Sequence, residues 1–290
     1  GTDAFALHMR GEILFAGTGV GLRIGTAGAN RLWSRRYTGL RVRRLAQSDW
    51  TSEAEIGIQI YNAYACEIAI EEVRGFTIGA QCFGDGVGWV YCRVALGRIS
   101  NNKVGLDLRC GVGGWNNQNT FLGGTFQNDT TCNPLADRYG VRFSRTAGGY
   151  DSHNNNVFLN TSFELRAIVD WWATTAYAAG TRIRGTGGRI YLCTTAGTSG
   201  TAAPAGTGTA IADGTARWDY VQESHDCVPV LMEVSGRANL FIGARNEGSG
   251  RAIAREFADA MGNQYDLAFV GGQVARATRR AATISTIAAT

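Results

Sequence analysis

The side chains best suited to chemistry in this sequence are carboxylates. Glu164 closes the phrase HNNNVFLNTSFE (153–164), and Glu247 holds the same place in ANLFIGARNEG (238–248). A third copy, NNQNTFLGGTFQN (116–128), carries Gln127 there. Each is the eighth residue after an asparagine: Asn119, Asn156 and Asn239. If the copies stack as adjacent coils, equivalent residues lie about 4.8 Å apart. Carboxyls separated by roughly 5–5.5 Å serve a retaining glycosidase, and by about 6.5–9.5 Å an inverting one. Close like charges also raise one of the two pKa values, which suits a general acid. The competing account is a solvated polar stack, with Arg166 and Arg245 near enough in sequence to neutralise both acids.

A second set is Asp107, Arg142 and Glu233, which read acid, base, acid in the cassettes GLDL, GVRF and LMEV. On a solenoid this is either a surface ion-pair ladder, weak pair by pair, or a groove whose acids stand about 9–10 Å apart. Asp129, Asp137 and Asp151 fall in long loops, where binding residues tend to gather. Other chemistries are excluded by their missing signatures. There is no GxSxG elbow, P-loop, HExxH or dinucleotide fingerprint. The three histidines are scattered, and the seven cysteines include no CxxC pair. No metal site and no cofactor is therefore expected, and the cysteines read as buried thiols of a chain folded in a reducing cytosol.

The elements that must position these groups are strands. Gly–apolar–polar–apolar recurs as GLRI at 21, GLRV at 39, GIQI at 57 and GFTI at 75, then as GLDL at 105, GVRF at 140 and, without the glycine, LMEV at 231. The first four are 18 residues apart, and the alternation gives each strand one buried face. Repeats of 18 to 37 residues with no amphipathic helix between them predict a parallel β-helix, since no coil buries its apolar face alone. The expected inward columns are Leu22, Leu40, Ile58, Phe76, Leu106, Val141, Met232 and Ile24, Val42, Ile60, Ile78, Leu108, Phe143, Val234. Arg23, Arg41, Gln59, Thr77, Asp107, Arg142 and Glu233 would face out, and the N-terminal coils would be narrow. In the phrase at 153–164, Val157, Leu159 and Phe163 are the candidates for the buried side, and which of them point inward depends on where the bend at Asn160–Thr161 falls. Asn156 and Asn239 are 83 residues apart, against 37 for the preceding pair. A segment of different texture, 171–222, fills the gap, so the domains read as solenoid 1–170, an inserted module 171–222, and solenoid plus C-terminal segment 223–290.

NNNVFLNTSFE and NLFIGARNEGSG resemble the pectate-lyase-like right-handed parallel β-helix of bacteriophage tailspikes, over roughly 20–165 and 228–275. That resemblance implies a homotrimer in a virion tail, other phage tail proteins as neighbours, and a bacterial surface polysaccharide as ligand. AYAAGTRI, GGRIYLC, GTSG and DGTARWDYV resemble the small carbohydrate-binding β modules of chitinase type. Trp172, Tyr177, Tyr220 and Trp218 are its candidate sugar-stacking rings, because a flat apolar ring matches the CH face of a pyranose. A module this small has a small core, and Trp171, Tyr191 and Trp218 are equally candidates for packing.

The balance of charge is mild. A net charge of +4 with 18% charged residues is a weak basic excess for a nucleic-acid binder. RLWSRRYTGLRVRR (31–44) interleaves six arginines with Trp33 and Tyr37, a pattern that fits an acidic polysaccharide or a neighbouring subunit better than nucleic acid. No run of 18 apolar residues marks a membrane span, and the N-terminus lacks the regions of a signal peptide and reads as an internal start. Three functions remain open: a tailspike or tail-fibre type protein that binds polysaccharide, with or without cleaving it by hydrolysis or elimination, a non-catalytic structural shaft, and a free polysaccharide lyase or hydrolase.

Overall fold

The computed structural model describes residues 6–28, 30–129, 136–149, 152–165, 168–222, 227–234, 236–247, 252–256, 260–269, 274–280 and 285–288. Two compact units emerge: Gly1–Arg166 with Cys227–Thr290, and Ala167–Asp226. The second is slightly wider than the 171–222 expected from texture.

The larger unit is a parallel β-helix. Successive strands visit two sheets in turn, and each pairs in parallel with the strand one coil earlier. Among the described residues one sheet takes Val20–Ile24, Ile56–Tyr61, Ile78–Gly84, Val104–Cys110, Arg138–Arg145, Cys227–Met232 and Ala252–Glu256. The other takes Arg36–Arg44, Glu67–Arg74, Arg93–Ser100, Thr120–Asn128, Ser162–Leu165, Leu240–Asn246 and Met261–Phe269. Near the C-terminus the pattern changes, as Val274–Arg280 and Ser285–Ala288 add antiparallel.

Register corrects several sequence expectations. Leu22 pairs with Ile58, so the 18-residue interval is half a coil and the N-terminal coils are not narrow. Leu40 and Val42 belong to the second sheet, and Phe76 precedes its strand. The inward columns of the first sheet are Leu22–Ile58–Ala80–Leu106–Val141–Val230 and Ile24–Ile60–Cys82–Leu108–Phe143–Met232. Ile78, Met232 and Val234 therefore shift from their expected places. The outward column runs Arg23–Gln59–Gln81–Asp107–Arg142–Leu231, without Arg41 or Thr77, and Glu233 stands two residues beyond Leu231. Both sheets share one alternation, so a cassette does not reveal which sheet it joins.

The second sheet buries an aromatic stack, Phe121–Phe158–Phe241–Tyr265, with centroids 4.5, 4.4 and 5.4 Å apart. Phe158 and Phe163 are the buried apolar residues of the 153–164 phrase, while Val157 and Leu159 are half-buried on the outer side. The reason is Asn160, whose φ of 55° bends the strand and resets its alternation. Its register partners Gly123 and Gly243 are left-handed as well. One corner is held by an asparagine ladder. The Asn119 Nδ2 donates to Asn156 Oδ1 at 2.9 Å, Asn156 to Asn239 at 2.9 Å, and Asn239 to Asn263 at 3.0 Å. All four are fully buried, and each follows a left-handed residue: Gln118, Asn155, Ala238 and Gly262. Buried amides in a closed ladder satisfy one another and lock register.

The smaller unit has a four-stranded antiparallel sheet of Arg182–Arg184, Ile190–Thr195, Ala216–Gln222 and Ile211–Asp213. Its core is Tyr177, Ile183, Tyr191, Cys193, Ala216 and Trp218, with Trp171 and Tyr220 packed against it. Asp213 Oδ2 accepts from both Trp171 Nε1 (2.7 Å) and Trp218 Nε1 (3.0 Å), which pins two indoles to one carboxylate.

Candidate carboxylate site

The outward column of the first sheet is a continuous hydrogen-bonded ladder. Arg23 Nε donates to Gln59 Oε1 at 2.9 Å, Gln59 Nε2 to Gln81 Oε1 at 2.6 Å, and Gln81 Nε2 to Asp107 Oδ2 at 2.9 Å. Asp107 then accepts from Arg142 Nε (3.0 Å), Arg142 Nη2 (3.2 Å) and Ser144 Oγ (2.7 Å). With Gln81 that makes four donors for one fully buried carboxylate. Burial alone would push its pKa up, but Arg142, Ser144 and Gln81 outweigh it and hold Asp107 below the usual carboxylate range. Asp107 is thus a saturated anchor inside the protein rather than part of a surface ladder.

Arg142 is the hinge between this anchor and the outer face. Its Nη1 lies 2.6 Å from Glu53 Oε1 and 3.9 Å from Glu233 Oε1, and both glutamate side chains are about half exposed, at 50% and 44%. The two carboxylate oxygens can be no further apart than those distances combined. That caps their separation at the lower edge of the inverting range, about 6.5 Å, and leaves the retaining spacing of roughly 5–5.5 Å within reach. Arg109 Nη1 adds a second cation 3.5 Å from Glu53.

Their environments drive the pair apart. Burial raises Glu53, yet its hydrogen bond to Arg142 and the Arg142 charge leave its pKa lowered overall. Glu233 is raised, chiefly by burial and further by the charges of Asp107 and Glu53, against which Arg142 pulls only partly. Two titratable groups pushed in opposite directions form a natural acid and base.

Glu53 escaped the sequence reading because it lies in the connection between Arg44 and Ile56 and belongs to no repeat. That connection is laid over the outer face: Trp50 is buried, with the fully buried Arg138 5.6 Å from its ring, and Glu55 bonds Arg44 Nη1 at 2.8 Å. The one signal in the sequence was a run of three acids, Asp49, Glu53 and Glu55, between Arg44 and Ile56.

The other expected pair also comes together in register. Gln127 pairs with Glu164, and Glu247 N donates to Phe163 O at 2.8 Å, so Glu164 and Glu247 occupy one column. Glu247 is ion-paired with Arg245, and Glu164 is half-buried. Arg166 lies outside the described residues, as does Asp151. Asp129 is tied to Asn101 by two reciprocal hydrogen bonds, and Asp137 accepts from Tyr139. His153 is buried against Ser144 O, and burial lowers its pKa to about 4, so it is a neutral core residue.

In the smaller unit the four expected rings separate. Trp218 is fully buried and Tyr177 nearly so, which corrects their reading as sugar-stacking residues: both are core. Tyr220 is half-buried, edge-on to Tyr191. Trp172 alone of the four is open, at 69% exposure.

No family description matches this sequence, and no curated protein matches it. Among solved structures, the ORF18 protein of Geobacillus virus E2 is similar over 95% of this chain, at 10% identity and a TM-score of 0.43. This chain spans 50% of that protein's length.

Proposed function

We propose that this chain is the polysaccharide-engaging β-helix of a phage tail, of tailspike type, which binds a bacterial surface polysaccharide and cuts its glycosidic bonds at Glu53 and Glu233. The observation that carries the reading is the opposed displacement of these two half-exposed carboxylates on one guanidinium. Glu233, whose pKa burial raises, is the acid of the pair and gives its proton to the departing glycosidic oxygen. Glu53, ionised, attacks the anomeric carbon or draws the proton from an attacking water. Asp107 fixes Arg142 from behind, so both carboxylates are aimed from a rigid base.

Three further elements belong to the same reading. Glu164 and Glu247 form a second in-register acid pair on the solenoid. Trp172 is the ring of the smaller unit open to a sugar. Leu122, Leu159 and Ile242, paired in register with Leu122 and Ile242 more than 40% exposed, make an apolar stripe that a homotrimer or another tail protein would cover. A non-catalytic shaft is the second reading, favoured by the complete saturation of Asp107. Incubation with capsular and O-antigen polysaccharides separates the two: new reducing ends without unsaturation support hydrolysis, unsaturated products would redirect the chemistry to elimination, and unchanged polymer across the panel would leave the shaft.

A further inference from the structure

Trp33, Tyr64 and Tyr91 stand on three successive coils at one corner of the solenoid. Trp33 pairs with Tyr64 in register, their ring centroids are 4.3 Å apart, and Tyr91 meets Tyr64 edge-on at 5.4 Å. Trp33 is 53% exposed and Tyr91 50%. The Arg31 guanidinium lies over the rings of Trp33, Tyr64 and Trp115, at 5.6, 5.6 and 5.5 Å. Trp115 reaches it across a neighbouring coil because its register partner is Gly88, where a Cβ would come within 2.1 Å of the indole nitrogen.

Arg31 is unusual in what it lacks. Among the described residues no carboxylate pairs with it, and its buried Nε has no hydrogen-bond partner. Neighbouring arginines differ: Arg36 pairs with Glu67 and Arg41 with Glu71. Aromatic faces hold a guanidinium by its plane and leave its N–H edge free for a bidentate acceptor. The exposed rings beside it offer flat apolar faces of the kind that stack on sugars.

We infer that this corner is a binding site for an acidic sugar, a hexuronate unit of a polysaccharide, with its carboxylate on Arg31 and its ring against Trp33 and Tyr91. The inference rests on the polysaccharide-binding reading but shares no residue with the Glu53–Glu233 pair. One uncompensated cation suits one carboxylate per bound unit better than the run of phosphates in a nucleic acid.

The test titrates the full chain with oligogalacturonate, with a neutral galactose oligosaccharide of equal length, and with oligothymidylate, following tryptophan fluorescence and calorimetric heat. Oligogalacturonate should bind at least tenfold more tightly than the neutral sugar. Arg31→Gln should erase that preference, and Trp33→Ala or Tyr91→Ala, both at exposed positions, should each weaken acidic binding tenfold or more with the circular dichroism spectrum unchanged. Equal binding of acidic and neutral sugars, acidic affinity unmoved by Arg31→Gln, or tighter oligothymidylate binding that Trp33→Ala abolishes would each overturn the site. Cleavage of whole polysaccharide with no oligogalacturonate binding would overturn it too, while leaving the proposed function standing.

Discussion

Glu53 Oε1 lies 2.6 Å from Arg142 Nη1, joining residues 89 positions apart in sequence. The contact ties the connection between two early strands to a strand several coils further along the solenoid. Arg142 in turn is fastened to Asp107, so a half-exposed acid is held by a buried ion pair.

Removing the cation should be far more damaging than removing either exposed acid. Arg142→Ala leaves Asp107 buried with its charge uncompensated, a loss of about 3–5 kcal/mol. Glu53→Gln, at a half-exposed position, should cost about 1 kcal/mol or less. Urea denaturation of both variants checks this, and equal losses would show that Asp107 does not depend on Arg142.

The asparagine ladder should behave as a chain of mutually satisfied amides. Asn156→Ala removes the acceptor of Asn119 Nδ2 and the donor to Asn239, both fully buried. Stranding buried polar groups costs about 1–3 kcal/mol each, so the midpoint of thermal unfolding should fall by several degrees. A change within error would mean that water replaces the amide.

Acid should destabilise the fold from a specific residue. His153 has its pKa lowered to about 4 by burial, against roughly 6.5 in an unfolded chain. The unfolded state therefore binds the extra proton first, and stability present above about pH 6.5 is lost as pH falls toward 4, by about 3 kcal/mol in all. Asp107 and Glu53, both lowered, add losses of the same sign. Urea midpoints at pH 7 and 4.5 measure most of the His153 loss, the carboxylate losses follow at lower pH, and His153→Gln should flatten the upper part of the curve. Identical midpoints for the native chain would refute a buried neutral imidazole.

The inserted unit should be dispensable for the solenoid. Asn128 pairs with Leu165 and Arg138 with Cys227, so the preceding coil bridges the same two register positions with nine residues. Excising 171–222 leaves nine residues between Leu165 and Cys227. The shortened chain should keep a cooperative unfolding transition and a β-rich circular dichroism spectrum, and its failure to fold would show that the unit stabilises the solenoid.

Period-two alternation made the strands legible in the sequence, and the spacing from Asn119, Asn156 and Asn239 placed the second-sheet coils in correct register. The coil length was misread because both sheets use the same alternation, so Leu40 and Ile58 look equivalent although they lie in different sheets. The inward residues of the 153–164 phrase hung on where the bend at Asn160–Thr161 falls, and a left-handed Asn160 carries no mark beyond its residue type. Glu53 was illegible for a different reason: an ion pair between a loop and a distant coil leaves no periodic trace. Trp218 and Tyr177 illustrate a third limit, since an aromatic in a small module packs or protrudes according to its partners, here Asp213 and the Trp172 backbone.

The most direct measurement of the central claim is release of reducing ends from a polysaccharide the native chain cleaves, compared with Glu53→Gln and Glu233→Gln at matched folded concentration. Both variants should fall by at least a hundredfold while still binding the polymer, and the rate of the native chain should decline on the alkaline side as Glu233 gives up its proton. Full activity in either variant would contradict the assignment of this pair.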